Sequence, residues 1–388
     1  MPQTSEATPN RPYIGGQAVL EGVMMRAPRS FAIVVRRRDG SLVVREREVV
    51  NDTRGWRKLP FLRGINSLVE SLRLGGEALR FSASQLEADM LAEEQAGLNP
   101  EKRPDKAAEN TAVDVTMMPP LGILSAFGLS LFSMMAGDTE TPAEKKEAAS
   151  KGGIVMLVVA VAFLIALPQA AAAGANRLMH WNLAVQSPAF QALTGGFKLS
   201  VVLGYLLMIR RVPEIRRVFQ YHGAEHKTIS TYEANEELIV QNARTKTTLH
   251  PRCGTTFLVM VALMSVILFT IIGGVLPRIA TGSALLDNLA FFVEKLPFLP
   301  LLAGVTFEIQ RIFARYCTTG PLRALLWPGF MVQKITTIEP DDDQLEVALA
   351  SLRATLFRER GIEAGNQQED IVFSNYEAIA QAERLRAA

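Results

Sequence analysis

The 388-residue chain is 48% hydrophobic and 21% charged, and its formal net charge is +2. This mixture is typical of a membrane protein with sizeable polar segments, and the near balance of charge argues against a nucleic-acid partner. The two cysteines are too few for a disulfide framework, and the polar residues 1–12 predict no cleavable signal peptide.

The N-terminal region, residues 1–118, is predicted to hold a small β-hairpin, an amphipathic helix and a linker. Within residues 14–50, the β-branched runs FAIVVRRR and SLVVREREVV flank Asp39-Gly40, a pair typical of hairpin turns. Residues 60–90 have apolar side chains three and four apart, which predicts a helix that Gly75-Gly76 interrupts or kinks. The charged, proline-bearing stretch 91–112 indicates a linker.

Four apolar segments are candidates to cross a bilayer, which requires roughly 17–25 such residues. They form two pairs, 153–175 with 195–209 and 255–277 with 296–312, so that transmembrane helices are predicted within 153–209 and 255–312. A fifth apolar stretch, 119–137, contains two prolines. We assign residues 119–152 to an interfacial or re-entrant segment and a charged linker, with a fifth crossing as the alternative.

Basic residues set the predicted orientation, because cytoplasmic loops of membrane proteins are enriched in Lys and Arg. The segment 210–254 is the richest in such residues and is therefore placed in the cytoplasm. With four crossings, both termini are also cytoplasmic, and residues 313–388 are predicted to form a soluble helical tail. The predicted fold is thus a mainly α, polytopic helical protein of the cell (inner) membrane.

The cytoplasmic segment also holds the motif His222-Gly-Ala-Glu225-His226. On a helix, positions i, i+3 and i+4 share a face, so the two imidazoles and the carboxylate are predicted to point the same way. Two imidazoles one turn apart can bind one Zn²⁺, and a carboxylate between them can act as a general base toward water. Glu225 is therefore the candidate catalytic residue, and the two histidines are candidate ligands.

The motif LHPRCGTTF adds His250 and Cys253 to the same segment, and Glu233 is a further ligand candidate there. Imidazole and thiolate are ligand types that zinc prefers. The alternatives are a closed structural site made by all the histidine and cysteine side chains of the segment, or a three-ligand site that leaves the fourth position for substrate.

Three residues outside this segment are additional candidates. Glu308 lies in an apolar run, where an ionisable side chain needs a partner, either the metal or Arg311. Glu21 is a candidate outer partner of a ligand histidine, with a salt bridge to Arg26 as the alternative. Tyr221 is a candidate hydrogen-bond donor to bound water or substrate, with core packing as the alternative.

Five segments in order together resemble the YqhQ family of bacterial integral membrane proteins: GGQAVLEGVMMR, PFLRGINSLVESL, FQYHGAEHKTI, HPRCGTTFL and PGFMVQKITTIEPDDDQLEVAL. That family has no established reaction and is described as a predicted metal-dependent enzyme, so the resemblance implies a fold and a metal but no substrate. Residues 119–137 have no counterpart in the family's common core. The H-x-x-E-H order also resembles the inverzincins, whose third ligand is a downstream glutamate; Glu308 has that position here.

Two functional interpretations follow. The first is a metal-dependent hydrolase at the cytoplasmic face, in which the HGAEH motif supplies two zinc ligands and a base and the HPRC motif completes the site. The second is a non-catalytic zinc-stabilised scaffold, assembly factor or transporter component. The lipid bilayer is the expected partner in both, with anionic headgroups near the basic segment, and both are compatible with a homo-oligomer.

Overall fold

The computed structural model describes residues 11–49, 62–98, 166–276, 282–316, 321–361 and 370–387. The strands are β1 Gly15–Val19, β2 Gly22–Arg26, β3 Ser30–Arg36, β4 Leu42–Glu48 and β5 Ile371–Phe373. The helices are α1 Leu62–Leu98, α2 Leu167–Leu178, α3 Pro188–Ile209, α4 Pro213–Glu233, α5 Val240–Arg244, α6 Gly254–Val275, α7 Ala284–Lys295, α8 Leu299–Tyr316, α9 Trp327–Thr336, α10 Asp342–Glu359 and α11 Tyr376–Ala387. Short 3-10 helices occupy Leu296–Phe298 and Pro321–Leu326.

The strands form one antiparallel sheet in the order β1-β2-β3-β4-β5. The predicted hairpin is confirmed: β3 and β4 pair on either side of Asp39-Gly40, and Gly40 takes the left-handed φ of 87° that this turn requires. The sheet is larger than that hairpin, because β1 and β2 form a second hairpin and β5 pairs with β4. Both ends of the chain therefore build the same sheet.

Helices cover the two faces of the sheet, which explains why its central strands are almost continuously apolar. On one face, side chains such as Val34 pack against α10 and α4 through Leu349 and Tyr221. On the other face, side chains such as Ile33 pack against α1 through Phe81. The domain is thus a three-layer arrangement of helix, sheet and helix, which we call the sheet domain.

The predicted C-terminal helix is confirmed as α10. Its first turn is fixed by a capping box, in which the Asp341 carboxylate accepts from the Gln344 N–H and the Gln344 side chain accepts from the Asp341 N–H. The helix packs on β2, β3 and α4. The C-terminal region therefore completes a core that the N-terminal strands begin.

Among the residues that the structure describes, three helical stretches are long and apolar enough to cross a membrane: Pro188–Ile209, Gly254–Gly273 and Leu286–Phe313. They correspond to the predicted spans 195–209, 255–277 and 296–312 and indicate a membrane protein. The third stretch is longer than predicted, since it includes α7, the Leu296–Phe298 turn and α8. Residues 119–137 and the first part of the predicted span 153–175 lie outside the described residues.

The helix predicted over residues 60–90 is α1, and one detail of that prediction is wrong. The helix continues through Gly75-Gly76 without interruption, and it includes residues 91–98, which were assigned to the linker. Gly75 serves close packing, since a Cβ at this position would lie 2.2 Å from Oε1 of Gln17 in β1. Gly75 therefore lies where α1 contacts β1.

We expect Leu349→Ala to destabilise the protein by about 2–5 kcal/mol, because the change leaves a cavity between α10 and the sheet. Leu349 is 0% exposed, whereas Val372 in β5 is 56% exposed and provides the control variant Val372→Ala. Thermal unfolding of the detergent-purified full chain measures the difference. Equal unfolding temperatures for the two variants would contradict the packing described above.

Candidate metal centre

The HGAEH motif lies on the buried face of α4. Pro213 occupies the first helical position, where its missing N–H leaves no hydrogen bond unmade. Glu214 follows in the first turn, where its carboxylate interacts favourably with the positive end of the helix dipole. Residues 223–229 are buried, and the ring centroids of His222 and His226 are 4.5 Å apart. The helical face expected for the HGAEH motif is therefore present in α4.

Both histidines of the motif are held through the same ring nitrogen. Nδ1 of His222 lies 2.9 Å from the carbonyl oxygen of Thr336, and Nδ1 of His226 is hydrogen-bonded to the carbonyl oxygen of Thr248. A carbonyl only accepts, so each Nδ1 carries a proton, and Nε2 is the nitrogen that binds a metal once the ring is neutral. This anchoring is the arrangement found around histidine ligands of metals.

Cys253 meets these imidazoles from the start of the second candidate span. It is the N-cap of α6, and its Sγ accepts a hydrogen bond from the backbone N–H of Thr255. The Sγ lies 3.1 Å from Nε2 of His222, and the thiol is 6% exposed. Gln310 of α8 donates to the Cys253 carbonyl at 3.3 Å, which connects the site to the third span.

The ligand atoms of His222, His226 and Cys253 all lie within 4.8 Å of one another. Two donors of one tetrahedral zinc ion are roughly 3.3–3.8 Å apart, given metal–ligand distances of about 2.0–2.3 Å. Small side-chain adjustments therefore suffice to place zinc among the three. Three protein ligands leave the fourth position of the tetrahedron to water or substrate, as in catalytic zinc sites.

His250 lies beside this cluster without joining it. Its ring centroid is 5.6 Å from that of His226, but its Nε2 faces Oε2 of Glu233 at 3.4 Å. Burial lowers the pKa of His250 to about 4, so the ring is neutral. Glu233 also pairs with Arg252. The structure therefore brings together three of the four predicted ligands and places His250 and Glu233 in the adjacent wall.

Glu225 is buried between the cluster and β1, with 5% of its surface exposed. The backbone N–H of Ala18 donates a hydrogen bond to its carboxylate. Gly16 lies alongside, since a Cβ there would be 2.9 Å from both Cγ and Oε1 of Glu225. Burial raises the pKa of Glu225, although His222 and His226 act in the opposite direction. A raised pKa suits a carboxylate that takes up a proton near neutral pH.

The remaining charges of the cluster favour a cation. Burial opposes ionisation of Cys253, but the neighbouring His222 and His226 lower its pKa well below the usual range. Burial likewise disfavours a charged His222, but the Cys253 thiolate and its hydrogen bond raise the pKa of the imidazole to about 9. The thiolate is the form of cysteine that binds metals, and a bound metal takes the place of the imidazole proton.

Two of the other candidates hold the β1–β2 turn against α4. Arg217 binds the Glu21 carboxylate through two hydrogen bonds of 2.5 Å, and the Tyr221 hydroxyl donates to it at 3.2 Å. The alternative prediction, a salt bridge between Glu21 and Arg26, is wrong, because Arg26 forms a salt bridge with Glu70 at 2.7 Å. Tyr221 is 0% exposed, which is consistent with core packing. Glu21 therefore fixes the strand that carries Ala18.

Glu308 is bound by a residue that sequence reasoning did not anticipate. Arg63 of α1 donates two hydrogen bonds to its carboxylate, at 2.6 and 2.5 Å. Glu308 is not part of the cluster of ligand atoms among the described residues. Its ion pair instead joins the amphipathic helix α1 to the third candidate span.

Sequence reasoning also missed several residues that shape the site. Gly223, inside the motif, allows α4 to approach the chain after α9, since a Cβ there would lie 2.1 Å from the Ile338 carbonyl oxygen. The Gln333 amide accepts from the N–H of His250 and donates to its carbonyl, which holds the turn that leads to Cys253. The glycine pair that begins β1 was the available signal for Gly16, but Glu225, which it contacts, is distant in sequence.

Comparison with known proteins places the chain in a family. The family described as "Protein of unknown function (DUF1385)" matches residues 59–358. The chain belongs to this family. It is also 31% identical over 352 residues to the "Uncharacterized protein YqhQ" of Bacillus subtilis (strain 168), a similarity that covers 89% of this chain and 92% of the relative. The expected family is therefore confirmed. No solved structure matches the chain.

We expect Gly16→Ala to lower the free energy of unfolding by about 1–3 kcal/mol, because the added methyl group collides with Glu225 and the Met24 carbonyl. Gly15→Ala is the matched control, since no atom lies within 4 Å of a Cβ at Gly15. Thermal unfolding of both variants measures the effect. If Gly16→Ala is as stable as Gly15→Ala, the close approach of β1 to Glu225 is wrong.

Proposed function

We propose that this DUF1385 protein is a metal-dependent hydrolase of the cell membrane. In this proposal His222, His226 and Cys253 hold Zn²⁺, and Glu225 is the general base. One observation supports the proposal most strongly: both imidazoles are anchored through Nδ1, so that their Nε2 atoms face each other and a buried cysteine within the reach of one metal ion. The donor set of two imidazoles and one thiolate is one that zinc accepts in enzymes.

The roles of the residues follow from their positions. The metal, when bound, supplies a Lewis acid that polarises the bond to be cleaved and makes water a stronger acid. Glu225 takes a proton from the attacking water and passes it to the leaving group. The hydrogen bond from Ala18 and the packing of Gly16 hold the Glu225 side chain in one orientation. The substrate class is a peptide, an amide or a lipid-derived compound.

The location of the site supports a reaction at the inner face of the membrane. Cys253 directly precedes the candidate span α6, and α4 follows α3 after only a short turn. The basic residues of this region favour the cytoplasmic side, together with the sheet domain and both termini. These residues are Arg210, Arg211, Arg216, Arg217, Lys227, Arg244, Lys246 and Arg252. The proposed topology has four spans, with the fourth within residues 153–175.

A closed structural zinc site is the second candidate, and the nearness of His250 to His226 favours it. In that arrangement the protein would be a zinc-stabilised scaffold, assembly factor or transporter component. The imidazole of His250 would have to leave Glu233 and turn toward the cluster, while its backbone stays held by Gln333. The three-ligand site needs no such rearrangement.

Metal analysis of the detergent-purified protein tests the proposed ligands. We expect one zinc ion per chain in the wild type and in Glu225→Gln, because Glu225 is not a ligand. In His222→Ala the affinity for zinc should fall by more than roughly 10–100-fold, which is the loss typical of removing a residue that only hydrogen-bonds a metal ligand. His250→Ala is the matched histidine control and should keep its zinc. Wild-type protein without zinc after chelator-free purification would overturn both candidates.

Cobalt substitution separates the open site from the closed one without a known substrate. Co²⁺ in the zinc position should give visible absorption typical of a four-coordinate ion with a thiolate ligand, and added azide should change that spectrum by occupying the open position. In a closed site of four protein ligands azide has no position to occupy. A spectrum that azide leaves unchanged in the wild type but changes in His250→Ala would establish the structural site instead.

A further inference from the structure

The membrane spans contain a second cluster of functional groups, away from the metal centre. Lys198 lies in the middle of α3 and donates to the Ser265 hydroxyl in the middle of α6 at 3.2 Å. At 1.5 Å per residue, Ser265 is about 16 Å along α6 from its cytoplasmic end. That position is close to the centre of a hydrocarbon core about 30 Å thick.

Lys295 contributes the second ammonium group, at the point where the third candidate span is broken. It is the last residue of α7, directly before the 3-10 turn Leu296–Phe298, and it is 5% exposed. Its Nζ donates to Oε1 of Gln191 at 3.1 Å and of Gln169 at 3.3 Å, and lies 4.3 Å from the ring centroid of Phe291. Lys295 is therefore firmly held by the protein.

The two glutamines are themselves fixed in orientation. The amide nitrogen of Gln169 donates to the Asn288 carbonyl at 2.7 Å, and that of Gln191 donates to the Val185 carbonyl at 2.6 Å. Their oxygens are consequently turned toward Lys295. The cluster is a preorganised polar site among the candidate membrane spans. Placing ionisable side chains in that environment costs free energy, which makes them candidates for a functional role.

Lys198 differs from Lys295 because its ammonium group is only partly satisfied. Within the described residues its one hydrogen-bond acceptor is Ser265, although an ammonium group has three N–H donors. The Ser265 hydroxyl is also engaged, since it donates to the Ala262 carbonyl at 2.7 Å. With respect to the residues that the structure describes, donors of Lys198 therefore remain for a ligand.

The positive charge of the cluster is also without compensation in the part of the chain that is described. Lys198 and Lys295 lie against neighbouring turns of α6, since Lys198 contacts Ser265 and Nζ of Lys295 is 5.3 Å from the ring centroid of Phe269, four residues further on. Neither lysine forms an ion pair with a carboxylate there, including Glu294, which is adjacent to Lys295 in the sequence. The apolar residues 153–165, which precede α2, have no ionisable side chain. Two like charges in a medium of low dielectric constant repel strongly unless an anion accompanies them.

We propose that Lys198 and Lys295 form an intramembrane binding site for a small anion, such as a halide ion or a carboxylate group. The free donors of Lys198 bind the anion directly, and Lys295 provides the second charge from a fixed position. Breaks in membrane helices are places where other membrane proteins bind their solutes, and the turn at Leu296–Phe298 interrupts the third candidate span directly beside Lys295. This site does not depend on the metal centre.

Anion titration of the full-length protein in detergent tests the site. The unfolding temperature is followed by tryptophan fluorescence while sodium chloride or sodium acetate replaces sodium isethionate, a bulkier sulfonate that carries no carboxylate, at constant ionic strength. We expect the unfolding temperature of the wild type to rise with chloride or acetate and to saturate. A rise that does not saturate, or no rise at all, overturns the proposal without any variant.

Lys198→Met removes the ammonium group and keeps the aliphatic stem, so the concentration for half-maximal stabilisation should increase at least tenfold. In isethionate alone this variant should be at least as stable as the wild type, because an uncompensated charge has been removed. The matched control is Lys334→Met, since Lys334 is exposed on α9 and should leave the titration unchanged. If the anion titration of Lys198→Met equals that of the wild type, the proposed anion site is wrong. The zinc content of this variant should equal that of the wild type, so the result does not bear on the proposed function.

Discussion

The imidazole of His222 contacts the two segments on either side of it, and the geometry of the whole centre depends on this double contact. Its Nδ1 donates to the carbonyl oxygen at the end of α9, and its Nε2 faces the thiol that begins α6. α4 belongs to the sheet domain through Tyr221, while α6 is a candidate membrane span. The candidate metal centre therefore lies at the junction between the sheet domain and the spans. A metal bound there would join the two parts covalently as well as by packing, through ligands from both.

Local sequence patterns were sufficient to predict those elements that are determined by residues close together in the sequence. The Asp39-Gly40 turn, the capping box at Asp341 and the helical spacing of the HGAEH motif each depend on residues within a few positions of one another. The apolar spans depend only on composition, which is equally visible in the sequence. The three side chains of the candidate cluster were predictable for the same reason, because histidine and cysteine are uncommon here and occur together in the sequence.

Contacts between distant parts of the chain were not predictable in this way. The pairing of β5 with β4, the placing of His250 against Glu233 and the ion pair of Arg63 with Glu308 each join segments whose relative position is decided by tertiary packing. Glycines show the same limit. Helix propensity alone predicts that Gly75 breaks the helix. In the structure Gly75 is helical, and the space left by its missing side chain is occupied by the side chain of Gln17.

The construction of one sheet from both ends of the chain has a consequence for how the protein is made. β1 to β4 leave the ribosome first, but α10 and β5 follow only after all the membrane spans have been synthesised. Until then, one apolar face of the sheet and the edge of β4 lack their partners, a condition that favours aggregation. The centre cannot assemble either, because the carbonyl that orients His222 belongs to Thr336. The candidate spans are therefore synthesised before the sheet and the centre can be completed.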